Sequence, residues 1–282
     1  MNKLTTTSST EHMTGSIALA KSMRIDVLNM VHRARASHVG SCFSITDILA
    51  VLYGQVMHVR PQEPTWSGRD RFILSKGHAA AAVYAALANI GVIPRADLET
   101  YGMDGSRYMT HVSHKIAGVE FSSGSLGHGL PFGVGKALAA KKRGQTWRVF
   151  VLLSDGEMDE GTNWEALMFA AHHRLDNLVA VIDYNKLQSL TSISQTLGLE
   201  PLVDKLKAFG WAVREVDGHD HSALANDLGS TPWTDGRPSL LLAHTTKGKG
   251  VSFMENKVEW HYRSPSAEQL SLALAELERD HA

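Results

Sequence analysis

Asp155 and Asn185 are the two side chains whose types and spacing most readily support chemistry. Asp155 lies in the turn Ser154-Asp155-Gly156, directly after the apolar, β-forming run from Val149 to Leu153. Asn185 ends the stretch Asp183-Tyr184-Asn185, after a second such run from Leu178 to Ile182, and a helical pattern from Asn163 to His173 separates the two. A right-handed crossover makes these strands parallel neighbours and brings Asp155 and Asn185 to one carboxyl edge, where open α/β sheets bind ligands. A carboxylate and an amide oxygen held there suit a hard divalent cation, and a cation there suits a diphosphate. An Asp-Gly turn after a strand is also common in proteins that bind neither, so the pair needs support from elsewhere in the chain.

The histidines are the second source of chemistry. The chain has 15 of them, and His38, His78, His111, His128 and His261 all fall in turn-like surroundings. A zinc site is one reading, but there is no HExxH and the spacings are wide. Five loop histidines fit better with a polar pocket for a phosphorylated or polyhydroxylated substrate, where imidazoles donate hydrogen bonds and move protons near neutral pH. His172 and His173 sit inside a helical pattern and read as solvent-facing or packing residues. Cys42 is the single cysteine. It excludes an internal disulfide and a multi-cysteine zinc site, fits a reducing compartment, and reads as a buried thiol rather than a nucleophile.

These residues need a scaffold, and 282 residues with 43% hydrophobic and 20% charged content can bury a sizeable core. With 28 basic and 29 acidic side chains the formal charge is -1, so no basic bias points to nucleic acid or an anionic membrane. No apolar run reaches a membrane-spanning length. The polar start, residues 1–15, lacks the apolar block of a secretory signal and reads as a flexible tail, which gives a cytoplasmic expectation. Helical periodicity starts near Ile17 and breaks at SHVGSCFS, where Ser44 to Asp47 can cap a helix from Ile48 to Tyr53. Arg71 to Leu74 reads as a strand, and the alanine-rich stretch after His78 as a helix. Residues 94–124 form a long loop carrying His111 and His114, followed by a glycine-rich entry into a helix ending near Gly144. Further on come a helix from Leu202 to Phe209, a strand from Trp211 to Val216, a turn into another helix, a strand from Ser239 to His244, and a final amphipathic helix. This alternation predicts one α/β domain with an open, mostly parallel sheet and helices on both faces. The glycine-rich segments do not supply a nucleotide motif. No strand immediately precedes GSLGHGLPFGVG, there is no GxxxxGK[ST], and TTKGKG is too short for a P-loop.

Four blocks in order, SKGHAAAAVYAALA, GVEFSSGSLGHGLPFGVGKALAAK, SDGEMDEGTNWEALMFAAHHRLDNLVAVIDYNKLQ and TTKGKGVSFMENKVEWHY, make the chain recognisable. From residue 16 to 282 it resembles the N-terminal, pyrophosphate-binding half of a transketolase, as found in the smaller subunit of a split enzyme. The resemblance implies a thiamine diphosphate-binding fold. It also implies Mg²⁺ (or Ca²⁺) on Asp155, the Asn185 side chain and the Leu187 carbonyl, bridging the two cofactor phosphates. Gly156 would let the backbone approach those phosphates, and His78 and His261 would donate to the diphosphate or to nearby substrate oxygens. Gly124, Leu126 and Glu157 fall at cofactor-binding positions of the same blocks. His38 and His111 match histidines that contact the sugar, with His261 helping to relay protons. Glu160 matches a buried acid linking the cofactor sites of the two halves, and His128 falls beside the aminopyrimidine, where family members often carry Gln.

Two departures stand out. Ser154 replaces the first Gly of the family's Gly-Asp-Gly, which is tolerated if its φ is negative. Thr110-His111-Val112 lacks the usual Gly-His-Pro, leaves His114 as an alternative to His111, and suggests an altered sugar. The glutamate that activates the cofactor's aminopyrimidine lies, in the family, on a pyrimidine-binding domain that this chain has no room for. The resemblance therefore implies a C-terminal partner subunit in a heterotetramer with two of each chain, and ketol transfer from a ketose to an aldose. Rival readings are a 2-oxoacid dehydrogenase component, a deoxyxylulose-phosphate synthase, or a non-catalytic scaffold subunit of the same fold. The loop histidines favour the sugar enzyme over the first two.

Overall fold

Strand residues here are apolar on both faces, which is the pattern of a sheet covered on both sides. In the computed structural model, which describes residues 9–279 and side chains from residue 15 onward, that is what they build. Helices α1 (Ser9–Ala34), α2 (Val39–Ser44) and α3 (Thr46–Val51) precede strand β1 (Arg71–Leu74) and the alanine-rich α4 (Ala80–Asn89). Residues 94–124 are irregular apart from one 3₁₀ segment, Arg95–Thr100. Then come α5 (Gly129–Lys142), β2 (Val149–Ser154), α6 (Gly161–His172), β3 (Leu178–Tyr184), the one-turn α7 (Ile193–Thr196), α8 (Leu202–Ala208), β4 (Ala212–Asp217), α9 (His221–Gly229), β5 (Ser239–His244) and α10 (Ala267–Arg279).

The sheet order is β1-β2-β3-β5-β4, and every neighbouring pair is parallel. Alternate residues serve opposite layers. Phe150, Leu152, Val179 and Val181 join the core built with α1, α3 and α4, whereas Val151, Leu153, Ala180 and Ile182 join the core built with α5, α6 and α8. The outer strand β4 carries the exposed Arg214 and Glu215, charges that discourage edge pairing. No helix among the described residues is long and apolar enough to cross a membrane.

Three expectations change. Residues 1–8 of the expected tail lie outside the described residues, but α1 is already helical from Ser9, ahead of the expected start at Ile17. Proline is absent from that stretch, and the cost of one glycine, about 1 kcal/mol, is small for a helix of 26 residues. The break at SHVGSCFS is in fact α2, which His38 enters in a left-handed conformation (φ 78°). Ser44 does not cap α3. Its hydroxyl donates to Asp183 Oδ2 at 2.7 Å, with the Ser41 carbonyl 3.1 Å away, so a buried carboxylate takes the bond a helix end would have received. Cys42 is buried, and burial pushes its thiol up to about 11, which leaves it protonated and unreactive at neutral pH.

Candidate active site

The parallel strands deliver their carboxyl ends to one edge, and the turns that leave them line a cavity of about 290 Å³. Lys76 and His78 follow β1, Ser154 to Gly156 follow β2, Asn185 to Ser189 follow β3, and Lys247 follows β5. His38 enters from the α1–α2 junction, His111 and Gly124 from the long loop, and His261 from the segment before α10. A larger hollow of about 860 Å³ opens at the opposite, amino-terminal edge beside Val56, Arg148 and Pro232, but it gathers none of the residues singled out by sequence.

Asp155 is buried, and both its oxygens accept backbone bonds: Oδ1 from Gly156 N–H at 2.7 Å and Oδ2 from Lys186 N–H at 2.6 Å. Burial, and secondarily the nearby Asp183, push its carboxyl up to about 7. Lys186 adopts φ 66°, an uncommon conformation for a residue with a side chain. It separates Asn185, whose Oδ1 accepts from Leu187 N–H at 3.0 Å, from the Leu187 carbonyl. Asn185 Nδ2 donates to Asp183 Oδ2 at 3.0 Å, which fixes which end of the amide is the oxygen. Asp183 is fully buried and also accepts from Lys76 at 2.5 Å, from Ser44 and from Thr245. Lys76 and the other donors hold its carboxyl below the usual carboxylate range despite burial.

Four imidazoles form one cluster. The His38 ring centroid lies 4.9 Å from His78, 5.0 Å from His261 and 6.1 Å from His111. Burial lowers His38 to about 4, helped by His111, and lowers His261 to about 3, helped by Lys247. Burial and then Lys76 hold His78 well below the ordinary value. These three rings are neutral at pH 7 and can each donate or accept a proton. Lys247 donates to the carbonyls of Leu187 at 3.3 Å and Gln188 at 3.0 Å, and lies 3.0 Å from His261 Nδ1. Burial and the neighbouring Lys76 lower its ammonium to about 8.

Among the described residues no cluster of three or more His, Cys, Asp or Glu could hold a metal, so a cation here must rest on Asp155 together with amide and carbonyl oxygens. The donor set fits one. Asp155 is a buried carboxylate with no cationic side chain hydrogen-bonded to it, and the Asn185 and Leu187 oxygens are the hard ligands Mg²⁺ or Ca²⁺ prefers. Two buried lysines and neutral imidazole donors on the same cavity fit a diphosphate.

Residues 16–277 match the family described as "Transketolase, thiamine diphosphate binding domain". The chain belongs to the transketolase family. It is 41% identical over 251 residues to an apulose-4-phosphate transketolase subunit of Phocaeicola vulgatus, covering 89% of each chain. It is 40% identical to the "6-deoxy-6-sulfo-D-fructose transketolase subunit SqwG" of Clostridium sp., covering 90% of this chain and 93% of the relative. The solved transketolase of Leishmania mexicana superposes with a TM-score of 0.88 at 30% identity, over 94% of this chain. The present chain spans 41% of that longer protein.

As a member of the transketolase family, the chain places its sequence-predicted residues unevenly. Asp155, Gly156, Asn185, Leu187, His38, His78, His111, His261, Gly124 and Leu126 line the cavity together. Glu157 does not. Its Oε1 accepts from Ser75 Oγ and from Gly127 N–H at 2.9 Å, and Oε2 from Ser154 N–H at 3.3 Å, so it ties three chain segments together behind the wall. Glu160, expected as a buried acid, is exposed at the start of α6, and only another surface could bury it. His128 is also exposed and outside the cavity, its Nδ1 3.0 Å from the Leu126 carbonyl. A Cβ on Gly156 would lie 2.9 Å from Gln188 Cγ, so in this chain a side chain uses the space left by the glycine. The Thr110-His111-Val112 loop brings His111 to the cavity, while the exposed His114 bonds Ser122 Oγ at 2.7 Å. Sequence reasoning passes over Lys76 and Lys247. The signal for both is a lysine directly before a glycine, within three residues of the end of a buried strand.

Proposed function

We propose that this chain is the N-terminal subunit of a two-chain transketolase that moves a two-carbon ketol unit from a ketose to an aldose, using thiamine diphosphate and Mg²⁺. The observation that carries this reading is the convergence of Asp155, Asn185 and Leu187 with four imidazoles in one cavity at the carboxyl edge of the sheet. Similarity at 40% or more to relatives named as transketolase subunits, over nearly their whole length, supports the two-chain assembly. The partner would carry the pyrimidine-binding domain and the activating glutamate, in a heterotetramer of two chains each.

Asp155, the Asn185 amide oxygen and the Leu187 carbonyl would hold the cation, and His78 and His261 would donate to the diphosphate. When bound, thiamine diphosphate supplies a thiazolium carbon that adds to the ketose carbonyl and serves as an electron sink. The protein's share is positioning and proton management. Lys247, charged near pH 7, has no lone pair to offer His261 Nδ1, so Nδ1 accepts and the ring keeps its proton on Nε2. His38 and His111, at the mouth, are placed to hydrogen-bond sugar oxygens and to stabilise charge developing on them. The low basicity of His38 lets it give up a proton readily but makes it a poor resting cation.

The test is reconstitution. The chain alone should show no ketol transfer, and adding a C-terminal transketolase subunit should restore it, with pentose phosphates, apulose 4-phosphate and 6-deoxy-6-sulfofructose screened as donors. Full activity from the chain alone, or a preference for pyruvate over every ketose, would overturn the reading.

A further inference from the structure

Away from the cavity wall, Asp47 on α3 is buried and surrounded by donors. Arg24 of α1 donates to Oδ1 at 2.9 Å and to Oδ2 at 2.6 Å, His221 Nε2 lies 3.2 Å from Oδ1, and His219 Nδ1 lies 2.7 Å from Oδ2. The other nitrogen of His219 accepts a bond from the backbone N–H of Thr246 at 2.8 Å. A backbone N–H can only donate, so His219 Nε2 must hold its lone pair and Nδ1 must carry the proton that goes to Asp47. One tautomer satisfies both bonds. Protonated His219, or its other tautomer, would face Thr246 N–H with a second hydrogen.

Thr246 directly precedes Lys247, the buried lysine of the cavity. Among the bonds that hold the loop carrying them, Thr245 Oγ1 donates to Asp183, Thr246 N–H to His219, and Gly248 N–H to the Gly40 carbonyl at 3.0 Å. The third fixes the peptide that leaves Lys247, and the middle one fixes the Thr245–Thr246 peptide that leads into it.

We propose that His219 is a positioning residue: held as the Nδ1–H tautomer by Asp47, it fixes the Thr246 peptide and so sets Lys247 against the Leu187 carbonyl and His261. Through Lys247 it tunes diphosphate affinity without touching the cofactor, an inference that rests on the functional reading above.

Two side chains separate the halves of this relay. Gln places an amide oxygen near the position of Nε2 and can keep the bond to Thr246, whereas Asn places an amide nitrogen near Nδ1 and keeps only the bond to Asp47. Thiamine diphosphate binding with Mg²⁺ is measured calorimetrically on the assembled two-subunit complex, alongside its thermal midpoint, for wild type, His219→Gln and His219→Asn. The expected result is near-wild-type affinity for Gln and a dissociation constant raised about tenfold for Asn, the effect of one lost hydrogen bond, with no matching order in the midpoints. Imidazole ¹⁵N shifts of the wild-type chain should show His219 protonated at Nδ1 and not at Nε2. An Nε2–H tautomer, equal affinity loss in both variants, or loss that simply follows the midpoints would each overturn the inference. A wild-type complex that binds no thiamine diphosphate would sink the functional reading, and this role with it.

Discussion

Asp155→Asn should make the cofactor-free protein more stable at pH 7.5 while abolishing its response to Mg²⁺ and thiamine diphosphate. The carboxyl of Asp155 moves from an ordinary value of 3.8 to about 7 because it is buried beside Asp183. The folded state therefore holds the proton more tightly than the unfolded chain. Its stabilising effect is complete below pH 3.8 and is lost as pH rises to about 7. A gap of about 3 pH units, at about 1.36 kcal/mol each, means that wild type carries roughly 4 kcal/mol of destabilisation above neutrality. The asparagine does not titrate and so escapes that cost, while its Nδ2 cannot accept one of the two backbone N–H bonds, a pH-independent offset of about 1–3 kcal/mol. Unfolding entropy of about 2.1 cal/mol/K per residue converts the full ionisation cost to about 7 °C in midpoint, from which the lost backbone bond takes back about 2–5 °C.

The assay is a thermal melt with chelator present, repeated from pH 4.5 to 8. Between pH 4.5 and 8 the variant should gain about 5 °C on wild type, starting level or lower at the acid end and ending higher. Added Mg²⁺ and thiamine diphosphate should then lift wild type, since a ligand at a hundred times its dissociation constant adds about 2.7 kcal/mol, and should leave the variant nearly unmoved. A difference that does not change with pH, or a variant that responds to the cofactor like wild type, would refute the reasoning.

Other expectations follow from the same geometry. His38→Ala and His111→Ala should leave cofactor affinity within about twofold while lowering kcat/KM for the ketose by on the order of 10², whereas His78→Ala should weaken the cofactor itself; calorimetry and steady-state kinetics separate the two. His114→Ala should match wild type in both measurements, because its ring bonds Ser122 outside the cavity, and a loss comparable with that of His111→Ala would shift the sugar contact to His114. Lys247→Met keeps the buried stem and removes a charge already lowered to about 8, so the cofactor should bind at least roughly tenfold more weakly while the cofactor-free midpoint holds or rises. Glu157→Ala strands Ser75 Oγ and the N–H groups of Gly127 and Ser154 without their acceptor, and urea unfolding should register a loss of about 2–4 kcal/mol.

Much of the fold is legible because its signals are local. The runs from Val149 to Leu153 and from Leu178 to Ile182 are short, aliphatic and closed by polar turns, so their strands and parallel pairing follow from periodicity and crossover handedness. Helix α2 is hidden for the opposite reason. Six residues span less than two turns and leave no period to read, and the left-handed His38 that admits it is stabilised from afar, by its own N–H donating to the His261 carbonyl at 2.8 Å. The site divides the same way. A carboxylate and an amide at strand ends announce a cation position, but Lys76 looks like turn punctuation until Asp183, 107 residues later, appears against it in the core. Glu157 and Asp155 are both acids in one turn, and nothing in their spacing says which faces the cavity. That is decided by where Ser75 and Gly127 arrive from the neighbouring strand and loop.

The residues that stay out of the cavity are as telling as those that enter it. Among the described residues lining it, Asp155 is the one carboxylate, and its oxygens are committed to backbone N–H groups and to any cation held there. The remaining ionisable groups include two lysines and four imidazoles, three of the imidazoles with strongly lowered basicity. Such a lining can bind a diphosphate and shuttle protons to sugar oxygens, yet it offers no acid to act on the far end of the cofactor. Glu160 and His128 are expected near that end, and both sit exposed on this chain. An exposed acid beside a cavity whose single carboxylate is committed to backbone N–H groups and a cation fits half of a shared site. On the proposed two-chain reading, the covering surface and the activating glutamate would come from the partner subunit.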